Sequence, residues 1–290
     1  MNPNLARWLA AGPLVTDGAW GTELQARGLA VGEFPDLWNL THPDQVADVA
    51  RAYVEAGSQI LLTNTFGANR VRLAEIGQAD RTAEVCRRGV EISRSAAGDT
   101  VLVFASIGPT GRLLMDGITT EEEVAGAFTE QALALADAGA DALVIETMSD
   151  PAEACLAVHA AKQTGLPIVA CMVFDSGRTM QQTMTGATPE QAARLLVEAG
   201  ADVVGANCGH GIAGFAAICR RLAAATDRPI WIKPNAGLPE MVDGHARYAT
   251  APAGFASHTL GLLQAGASFL GGCCGTSPAF IAAVRQNVGR

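Results

Sequence analysis

One turn recurs four times along the chain and constrains the fold more than any other feature. Each copy ends a helix-like stretch with the dipeptide Ala-Gly and passes directly into an apolar run, with its glycine at Gly57, Gly139, Gly200 or Gly266. Glycine suits the left-handed residue that ends a helix, and a short apolar run predicts a buried strand. The repeat therefore predicts an α/β protein in which helices return directly into strands.

Eight apolar runs are long enough to be strands covered on both faces. They are Leu14–Asp17, Gln59–Phe66, Val101–Ile107, Asp141–Thr147, Pro167–Phe174, Asp202–Cys208, Pro229–Pro234 and Ser268–Gly272. Helical patterns lie between or after them at His42–Ala56, Thr120–Ala138, Asp150–Thr164, Pro189–Ala199, Ala251–Ala265 and Pro278–Val288. Eight strand–helix units in 290 residues predict a (β/α)8 TIM barrel, a single domain over residues 1–290. An open doubly wound sheet is the alternative.

Composition excludes several classes of partner. The net charge is −9, which argues against a nucleic acid or an anionic membrane as partner, because both select basic surfaces. The sequence has no apolar run of membrane-spanning length, and its first residues do not resemble a secretory signal. Seven cysteines, an odd number, argue against a disulfide framework in a chain this long. We therefore expect a reducing, cytoplasmic compartment.

Three cysteines are the strongest candidates for chemistry. Cys208 ends the sixth predicted strand, and Cys273 and Cys274 follow the eighth among glycines. Because the carboxyl ends of barrel strands meet at one rim, these thiols are expected to converge there. Three thiolates make a soft site that suits Zn²⁺, with room for a fourth ligand. A vicinal disulfide or buried packing is the alternative, and His210 is an alternative ligand.

The remaining cysteines are interpreted as packing residues, because they fall within predicted helices or a strand. They are Cys86, Cys155, Cys171 and Cys219.

Polar groups for binding a substrate also follow predicted strands. Asp17 and Glu146 end the first and fourth strands, and such carboxylates can hold the ammonium of an amino acid. Their alternative role is to cap the turns that follow. The loop containing Gly18, Ala19 and Thr22 presents backbone N–H groups that can receive a carboxylate.

With these motifs assembled, the chain resembles the homocysteine S-methyltransferase family from about Leu14 to Val288. The resemblance rests on Asp17-Gly-Ala-Trp-Gly-Thr22, Thr63-Asn-Thr-Phe-Gly-Ala68, Ile107-Gly-Pro-Thr-Gly111, Glu146-Thr-Met, Gly205-Ala-Asn-Cys208, Pro234-Asn-Ala-Gly237 and Gly271-Gly-Cys-Cys-Gly-Thr276. The last motif is highly specific when it is paired with the upstream Asn-Cys.

The resemblance implies a zinc-loaded barrel that methylates L-homocysteine to L-methionine. It implies that Cys208, Cys273 and Cys274 are the zinc ligands. It assigns the substrate ammonium to Asp17 and Glu146 and the substrate carboxylate to the Gly18 and Ala19 amides. Asn235 is implied to occupy the open zinc position before the substrate arrives.

This chemistry agrees with the residues. The nucleophile is a thiolate, and zinc deprotonates a coordinated thiol. Three protein thiolates leave the complex at −1, and a fourth from homocysteine makes it −2, so the bound sulfur keeps the electron density needed to attack a methyl carbon.

The methyl donor stays open. Family members that use betaine hold its trimethylammonium group in an aromatic cage. Here Trp38 falls where one aromatic residue of the cage is expected, and Trp20 is a candidate substitute for another. Gly67 and Thr147 stand where two tyrosines of the cage are expected. The rim motifs are closer to the methionine synthase module, whose donor is methylcobalamin on another domain.

Three functions are therefore compared. The first is a transferase that uses a small methyl donor such as betaine or S-methylmethionine, or a separate corrinoid protein. The second is a homocysteine-activating subunit of a split methionine synthase that is inactive alone. The third is a barrel lyase that uses Lys233 as a Schiff-base amine.

Overall fold

Eight parallel strands form a barrel in the computed structural model, which describes residues 2–112, 114, 119–242 and 245–289. Strands in the described residues are β1 (Leu14–Val15), β2 (Ile60–Leu62), β3 (Leu102–Ile107), β4 (Ala142–Met148), β5 (Ile168–Met172), β6 (Val203–Cys208), β7 (Ile230–Pro234), β8 (Pro239–Val242), β9 (His245–Tyr248) and β10 (Ala267–Leu270). The order around the sheet is β1-β10-β7-β6-β5-β4-β3-β2. A parallel bridge between Thr16 and Ile60 joins β1 to β2, so the predicted (β/α)8 barrel is confirmed over the open sheet.

Helices surround the barrel and connect its strands. They are α1 (Pro3–Trp8), α2 (Trp20–Gln25), α3 (Trp38–Thr41), α4 (Pro43–Glu55), α5 (Arg70–Ala74), α6 (Thr82–Ala97), α7 (Glu121–Asp137), α8 (Pro151–Lys162), α9 (Pro189–Ala199), α10 (Phe215–Ala225), α11 (Pro252–Ala256), α12 (Thr259–Gln264) and α13 (Pro278–Val288). Strands β8 and β9 form an antiparallel hairpin in the connection after β7. The hairpin lies at the carboxyl end of β7, beside the predicted site.

The recurrent Ala-Gly turn forms as the sequence predicts. The backbone φ angles of its four glycines lie between 92° and 115°, in the left-handed region. Their helices α4, α7, α9 and α12 return to β2, β4, β6 and β10. Any other residue at these positions would carry backbone strain.

Two expectations about element boundaries were wrong. The second strand is much shorter than predicted, because residues 63–66 leave the sheet to build the rim. The first strand ends at Val15, although Thr16 still forms a bridge with Ile60. The predicted helix Ala251–Ala265 is split between α11 and α12. The Ser257 hydroxyl donates to the Gly254 carbonyl at 2.7 Å. The His258 N–H donates to the Phe255 carbonyl instead of the Gly254 carbonyl that a continuous α-helix would use. A serine that takes a helix carbonyl in this way competes with the helical ladder.

The barrel interior is closed at the end opposite the site. Trp8 of α1 packs on Phe104, which stacks on Trp231, which packs on Phe269, with ring centroids 5.2–6.0 Å apart. Residues of the eight barrel strands that face outward pack in one core with the surrounding helices. The interior is therefore a packed core, and ligands must enter from the carboxyl ends of the strands.

In the described part of the chain, no helix combines the length and the apolar character needed to cross a lipid bilayer.

Candidate metal centre and substrate cavity

A cavity of about 490 Å³ opens at the carboxyl ends of the barrel strands, where the sequence predicts the site. Its volume lies in the range of sites for small molecules. Predicted site residues on its wall are Gly18, Ala19, Thr22, Glu146, Cys208, Cys273 and Cys274. Two further predicted residues, Asp17 and Asn235, lie behind this wall and are buried.

Three thiols meet on one side of the cavity. The Sγ atoms of Cys208, Cys273 and Cys274 all lie within 4.8 Å of one another. The Cys273 N–H donates to the Pro234 carbonyl at 2.8 Å, which brings the segment after β10 against the end of β7. Cys208 has a φ of 66°, a strained value for a non-glycine residue that turns its side chain out of the strand direction.

Close packing explains the glycines around Cys273. A side chain at Gly271 or Gly272 would overlap Thr16 or Thr276, so β10 can approach β1 only with glycine here. Gly275 has a φ of 81° and lies against the Tyr248 ring. These glycines allow the two adjacent cysteines to reach Cys208.

The thiols share their protons unequally. Hydrogen bonds from Cys273 and Cys274 lower the pKa of the Cys208 thiol to about 3, while the hydrogen bond with Cys208 raises the pKa of the Cys274 thiol to about 12. One negative charge is thus already favoured in the cluster. A divalent cation favours the deprotonated form of all its thiol ligands.

Asn235 supplies a further group that fits a metal. Its Nδ2 donates to the Gly209 carbonyl at 2.7 Å and lies 3.5 Å from the Cys208 sulfur. Its Oδ1 is buried and has no hydrogen-bond partner among the described residues. An unpaired buried oxygen is costly. Because the same amide contacts the Cys208 sulfur through Nδ2, Oδ1 is a candidate fourth ligand for a metal at the thiols. The donor set fits Zn²⁺, which accepts four sulfur and oxygen ligands.

Glu146 is directed into the cavity by a local break in β4. The register with β5 shifts between Ile145 and Met148, and Thr147 has a φ of 63°. The Asn207 side chain holds this conformation: its Oδ1 accepts from the Thr147 N–H at 2.8 Å, and its Nδ2 donates to the Thr147 hydroxyl at 2.7 Å. Such bulges commonly redirect side chains at functional sites.

The Glu146 carboxylate is partly satisfied by protein. Its Oε1 accepts from the Ser106 hydroxyl at 2.6 Å. Burial raises the pKa of Glu146, although the positive charge of Lys233 acts in the opposite direction. The residue is 8% exposed and lines the cavity, so it is accessible to a ligand cation.

Asp17 has a different environment from Glu146. Its Oδ1 pairs with the Lys233 ammonium at 2.5 Å. Its Oδ2 accepts from the Trp20 indole at 2.8 Å and from the Leu62 N–H at 2.7 Å. Both oxygens are therefore engaged, and the residue is fully buried.

The sequence suggests for Lys233 only the role of a Schiff-base amine. Burial lowers its pKa, but the negative charges of Asp17 and Glu146 outweigh burial, and the net effect raises the pKa. A protonated amine is not a nucleophile, so this environment argues against the lyase. The sequence feature that could have indicated a binding role for Lys233 is its position as the lone charged residue within the apolar strand β7.

The loop after β1 offers fewer free amides than expected. The Ala19 N–H donates to the Thr276 carbonyl at 3.0 Å, while the Gly18 N–H has no hydrogen-bond partner among the described residues. The Thr22 hydroxyl accepts from the Gly275 N–H at 3.2 Å and so supports the segment after Cys274. Of the two predicted amides, Gly18 is the free one.

The expected position of the cage aromatic was wrong. Trp38 is 3% exposed; its indole donates to Glu33 at 2.9 Å and its ring stacks on His42. The helical turn that begins at Pro35 directs Trp38 into the core, and Phe34 lines the cavity instead, with Trp20 and Phe66.

Space and composition also argue against a tyrosine cage. A side chain at Gly67 would approach Asp36 to 3.0 Å and the Phe34 ring to 3.1 Å. Both tyrosines of the chain, Tyr53 and Tyr248, lie outside the cavity wall. Tyr53 instead donates from its hydroxyl to the carbonyls of Ala19 and Thr276.

The remaining candidates lie away from the thiol cluster. His210 is exposed and lines a second cavity, and it is absent from the group of possible metal ligands in the described residues. Cys86, Cys171 and Cys219 are buried, as packing residues are expected to be, whereas Cys155 is half-buried. All seven cysteines have free thiols.

Asp36 makes the stability of the protein depend on pH. Burial raises its pKa from 3.8 to about 7. The folded state therefore binds more protons than the unfolded chain between these values, and stability falls as pH rises through this window. We expect Asp36→Asn to be more stable than wild type at pH 8 and similar near pH 4, because the amide cannot ionise.

Thermal unfolding at several pH values measures this effect. A gain of about 1 kcal/mol corresponds to a Tm increase of ~2–4 °C in a chain near this size. The amide retains an oxygen for the Gly67 N–H, which donates to Asp36 at 2.9 Å. A Tm difference that stays constant from pH 4 to pH 8 would contradict the assignment.

The fold and the site define a (β/α)8 barrel enzyme with a thiol cluster and the accessible Glu146 carboxylate at its mouth. The family model for homocysteine S-methyltransferase matches residues 14–288. The chain therefore belongs to the homocysteine S-methyltransferase family, as its motifs predicted.

Curated relatives include much longer proteins. The chain is 33% identical over 306 residues to methionine synthase of Mycobacterium leprae, and the match covers 99% of the chain and 25% of that protein. It is 33% identical over 294 residues to methionine synthase of Mycobacterium tuberculosis, covering 95% of the chain and 24% of that protein. The chain thus spans about a quarter of the length of these relatives.

Solved structures include a protein of matching size. The metallated form of the homocysteine methyltransferase MmuM from Escherichia coli superposes with a TM-score of 0.79 at 25% identity, covering 97% of this chain and 99% of that one. Its oxidized form gives a TM-score of 0.80 at 26% identity, covering 99% of both chains.

Proposed function

We propose that this protein is a zinc-dependent S-methyltransferase that converts L-homocysteine to L-methionine. The observation that carries the proposal is three thiols that converge on one cavity wall beside the accessible Glu146 carboxylate, with the orphaned, buried Asn235 oxygen behind that wall. The thiols and the Asn235 oxygen suit a metal that can also bind a substrate thiol, and the Glu146 carboxylate suits the ammonium of an amino acid. The metallated MmuM structure supports a metal site in this fold.

Cys208, Cys273 and Cys274 would hold the zinc ion, with Asn235 as the ligand before substrate binds. A zinc ion there supplies a positive charge that keeps an incoming thiol deprotonated at neutral pH. Because free thiols at the cavity must stay reduced to serve as ligands, the proposal places the protein in a reducing compartment such as the cytoplasm.

The protein residues orient the substrate. Glu146 accepts the substrate ammonium, and its position is maintained by Ser106 and by the Asn207 contacts to Thr147. Asp17 acts from behind the wall, through its ion pair with Lys233. The free Gly18 N–H donates to the substrate carboxylate. Holding the amino-acid group at a fixed distance from the thiol cluster orients the sulfur toward the donor.

Methyl transfer balances without an oxidant or reductant. The sulfur of homocysteine donates an electron pair to the methyl carbon as the bond between that carbon and the donor breaks. The donor keeps the electrons of the broken bond, so an ammonium leaves as an amine and a sulfonium leaves as a thioether.

The cavity favours a small onium donor. Trp20, Phe34 and Phe66 form an aromatic wall, and the acidic Asp36 lies beside it. Aromatic faces attract a methylated cation, and Asp36 adds to this attraction at a pH above its pKa of about 7. Betaine and S-methylmethionine carry such a group.

A second candidate is the homocysteine-activating subunit that receives its methyl group from a separate corrinoid protein. Exposed apolar side chains lie in four of the connections that follow barrel strands, at the end of the barrel where a methyl-corrinoid protein would have to approach the cavity. They are Val31, Phe66, Met180, Met184, Leu238 and Met241. The longer methionine synthases that match this chain are also consistent with this candidate.

A donor screen decides between the candidates. The zinc-loaded protein is incubated with homocysteine and betaine, S-methylmethionine or a methyl-corrinoid protein, and methionine is measured by mass spectrometry. Turnover with a small donor supports the transferase and eliminates the subunit. Turnover with the methyl-corrinoid protein only supports the subunit, and no methionine with any donor contradicts both.

Asn235→Ala tests the ligand that precedes the substrate. We expect this variant to bind zinc roughly 10-fold more weakly than wild type when homocysteine is absent. Saturating homocysteine is expected to remove the difference, because the substrate sulfur then takes the same position. Zinc affinities measured by competition with a chelator, with and without homocysteine, check both statements. If the variant and the wild type bind zinc equally tightly both with and without homocysteine, Asn235 is not a zinc ligand.

A further inference from the structure

Lys233 is a buried cation whose hydrogen-bonding capacity is largely unused. Its side chain is 2% exposed and lines the cavity. An ammonium has three N–H donors, and among the described residues Lys233 contacts one acceptor, Asp17 Oδ1. Buried donors normally find partners, so two donors of Lys233 remain for a group inside the cavity.

The charges of the wall determine which group fits. Asp17 and Lys233 neutralise each other as an ion pair, which leaves Glu146 as the uncompensated carboxylate near them. One free carboxylate matches one ligand ammonium. The spare donors of Lys233 match an anionic group attached close to that ammonium.

The loop after β1 does not provide enough donors for such an anion alone. The Ala19 N–H is used by Thr276, which leaves the single Gly18 N–H. A carboxylate has four acceptor positions. Lys233, whose partner Asp17 directly precedes Gly18, is therefore placed to complete the site.

We infer that Lys233 binds the α-carboxylate of the thiol substrate and makes the site selective for α-amino acids. Glu146 holds the ammonium, Lys233 together with the Gly18 amide holds the carboxylate, and Asp17 positions Lys233. This inference rests on the proposed function, since it concerns the homocysteine that this function uses.

Three thiols separate the two charges of the substrate. Homocysteine carries both, 3-mercaptopropylamine lacks the carboxylate, and 4-mercaptobutyrate lacks the ammonium. The measured quantity is the ratio of kcat/KM for homocysteine to kcat/KM for 3-mercaptopropylamine, with the zinc-loaded protein and the donor found in the screen. We expect this ratio to fall roughly 10- to 100-fold in Lys233→Met, because a charge-assisted hydrogen bond is lost.

A paired variant separates recognition from charge compensation. Asp17→Asn/Lys233→Met removes both buried charges and leaves no unpaired carboxylate. If Lys233 binds the carboxylate, the ratio falls in the double variant as it does in Lys233→Met. If Lys233 only neutralises Asp17, both thiols change together and the ratio keeps its wild-type value, which overturns the inference.

A further test uses the wild-type protein and so does not depend on whether a variant folds. Its KM for 3-mercaptopropylamine is expected to exceed that for homocysteine roughly 10-fold or more, and equal KM values would overturn the inference. A wild-type protein that methylates no thiol would instead refute the proposed function, so the two failures are distinguishable.

Discussion

Replacing Cys273 with alanine is expected to remove bound zinc and methyl transfer together. Its sulfur is one of three within 4.8 Å of one another, and two thiols with Asn235 would leave a divalent cation incompletely bound. Loss of an outer-shell partner alone costs ~10- to 100-fold in affinity or activity, so losing a ligand is expected to cost more. Cys208→Ala and Cys274→Ala are expected to behave in the same way.

Elemental analysis for zinc and a methionine assay on the same preparation measure this result, with circular dichroism to verify folding. Cys155→Ala is the matched control, because Cys155 is a half-buried cysteine on α8 with its Sγ 3.8 Å from the Leu195 carbonyl, outside the cavity. It is expected to retain both zinc and activity. A Cys273→Ala protein that remains fully active without bound metal would reject the mechanism.

Replacing Glu146 with glutamine is expected to weaken homocysteine binding far more than zinc binding. The substitution keeps the size of the side chain and removes the negative charge that, in the proposed function, binds the substrate ammonium. Charge-assisted hydrogen bonds are about twice as strong as neutral ones, and a loss of ~1.5–3 kcal/mol corresponds to an increase in KM of roughly 10- to 100-fold. Zinc content should be unchanged, because Glu146 is outside the thiol cluster.

Steady-state kinetics with varied homocysteine, together with zinc analysis, test this expectation. Glu153→Gln is the matched control, since Glu153 is also a buried carboxyl but accepts from the Thr110 N–H and hydroxyl away from the cavity wall. Its KM for homocysteine is expected to stay at the wild-type value. An unaltered KM in Glu146→Gln would exclude Glu146 as the ammonium contact.

The barrel was predictable because its signals are local. A glycine after a helix and an apolar run after the glycine report on neighbouring residues only, and four copies with left-handed glycines formed as expected. Convergence of Cys208 with Cys273 was predictable for a related reason, because parallel strands of a barrel end at a common rim.

Which polar side chains are buried and which reach the cavity was less predictable. Glu146 and Asp17 look alike in sequence, as acidic residues at strand ends. Only Glu146 reaches the cavity, because the Asn207 contacts hold a left-handed Thr147 after it. The burial of Trp38 and the position of Phe34 on the cavity wall likewise follow from the turn at Pro35. No local sequence pattern specifies the direction in which the chain leaves that turn.

The amino-acid order by itself determined the barrel, the rim that carries the cavity and the convergence of the three thiols, because periodicity and strand ends are properties of short segments. Tertiary structure alone decided which carboxylate is free and which is paired. Asp17 and Lys233 are 216 positions apart, and their ion pair exists only because closure of the barrel brings β1 and β7 to opposite sides of β10. Electrostatic contacts depend on distance in space, which sequence separation does not reveal.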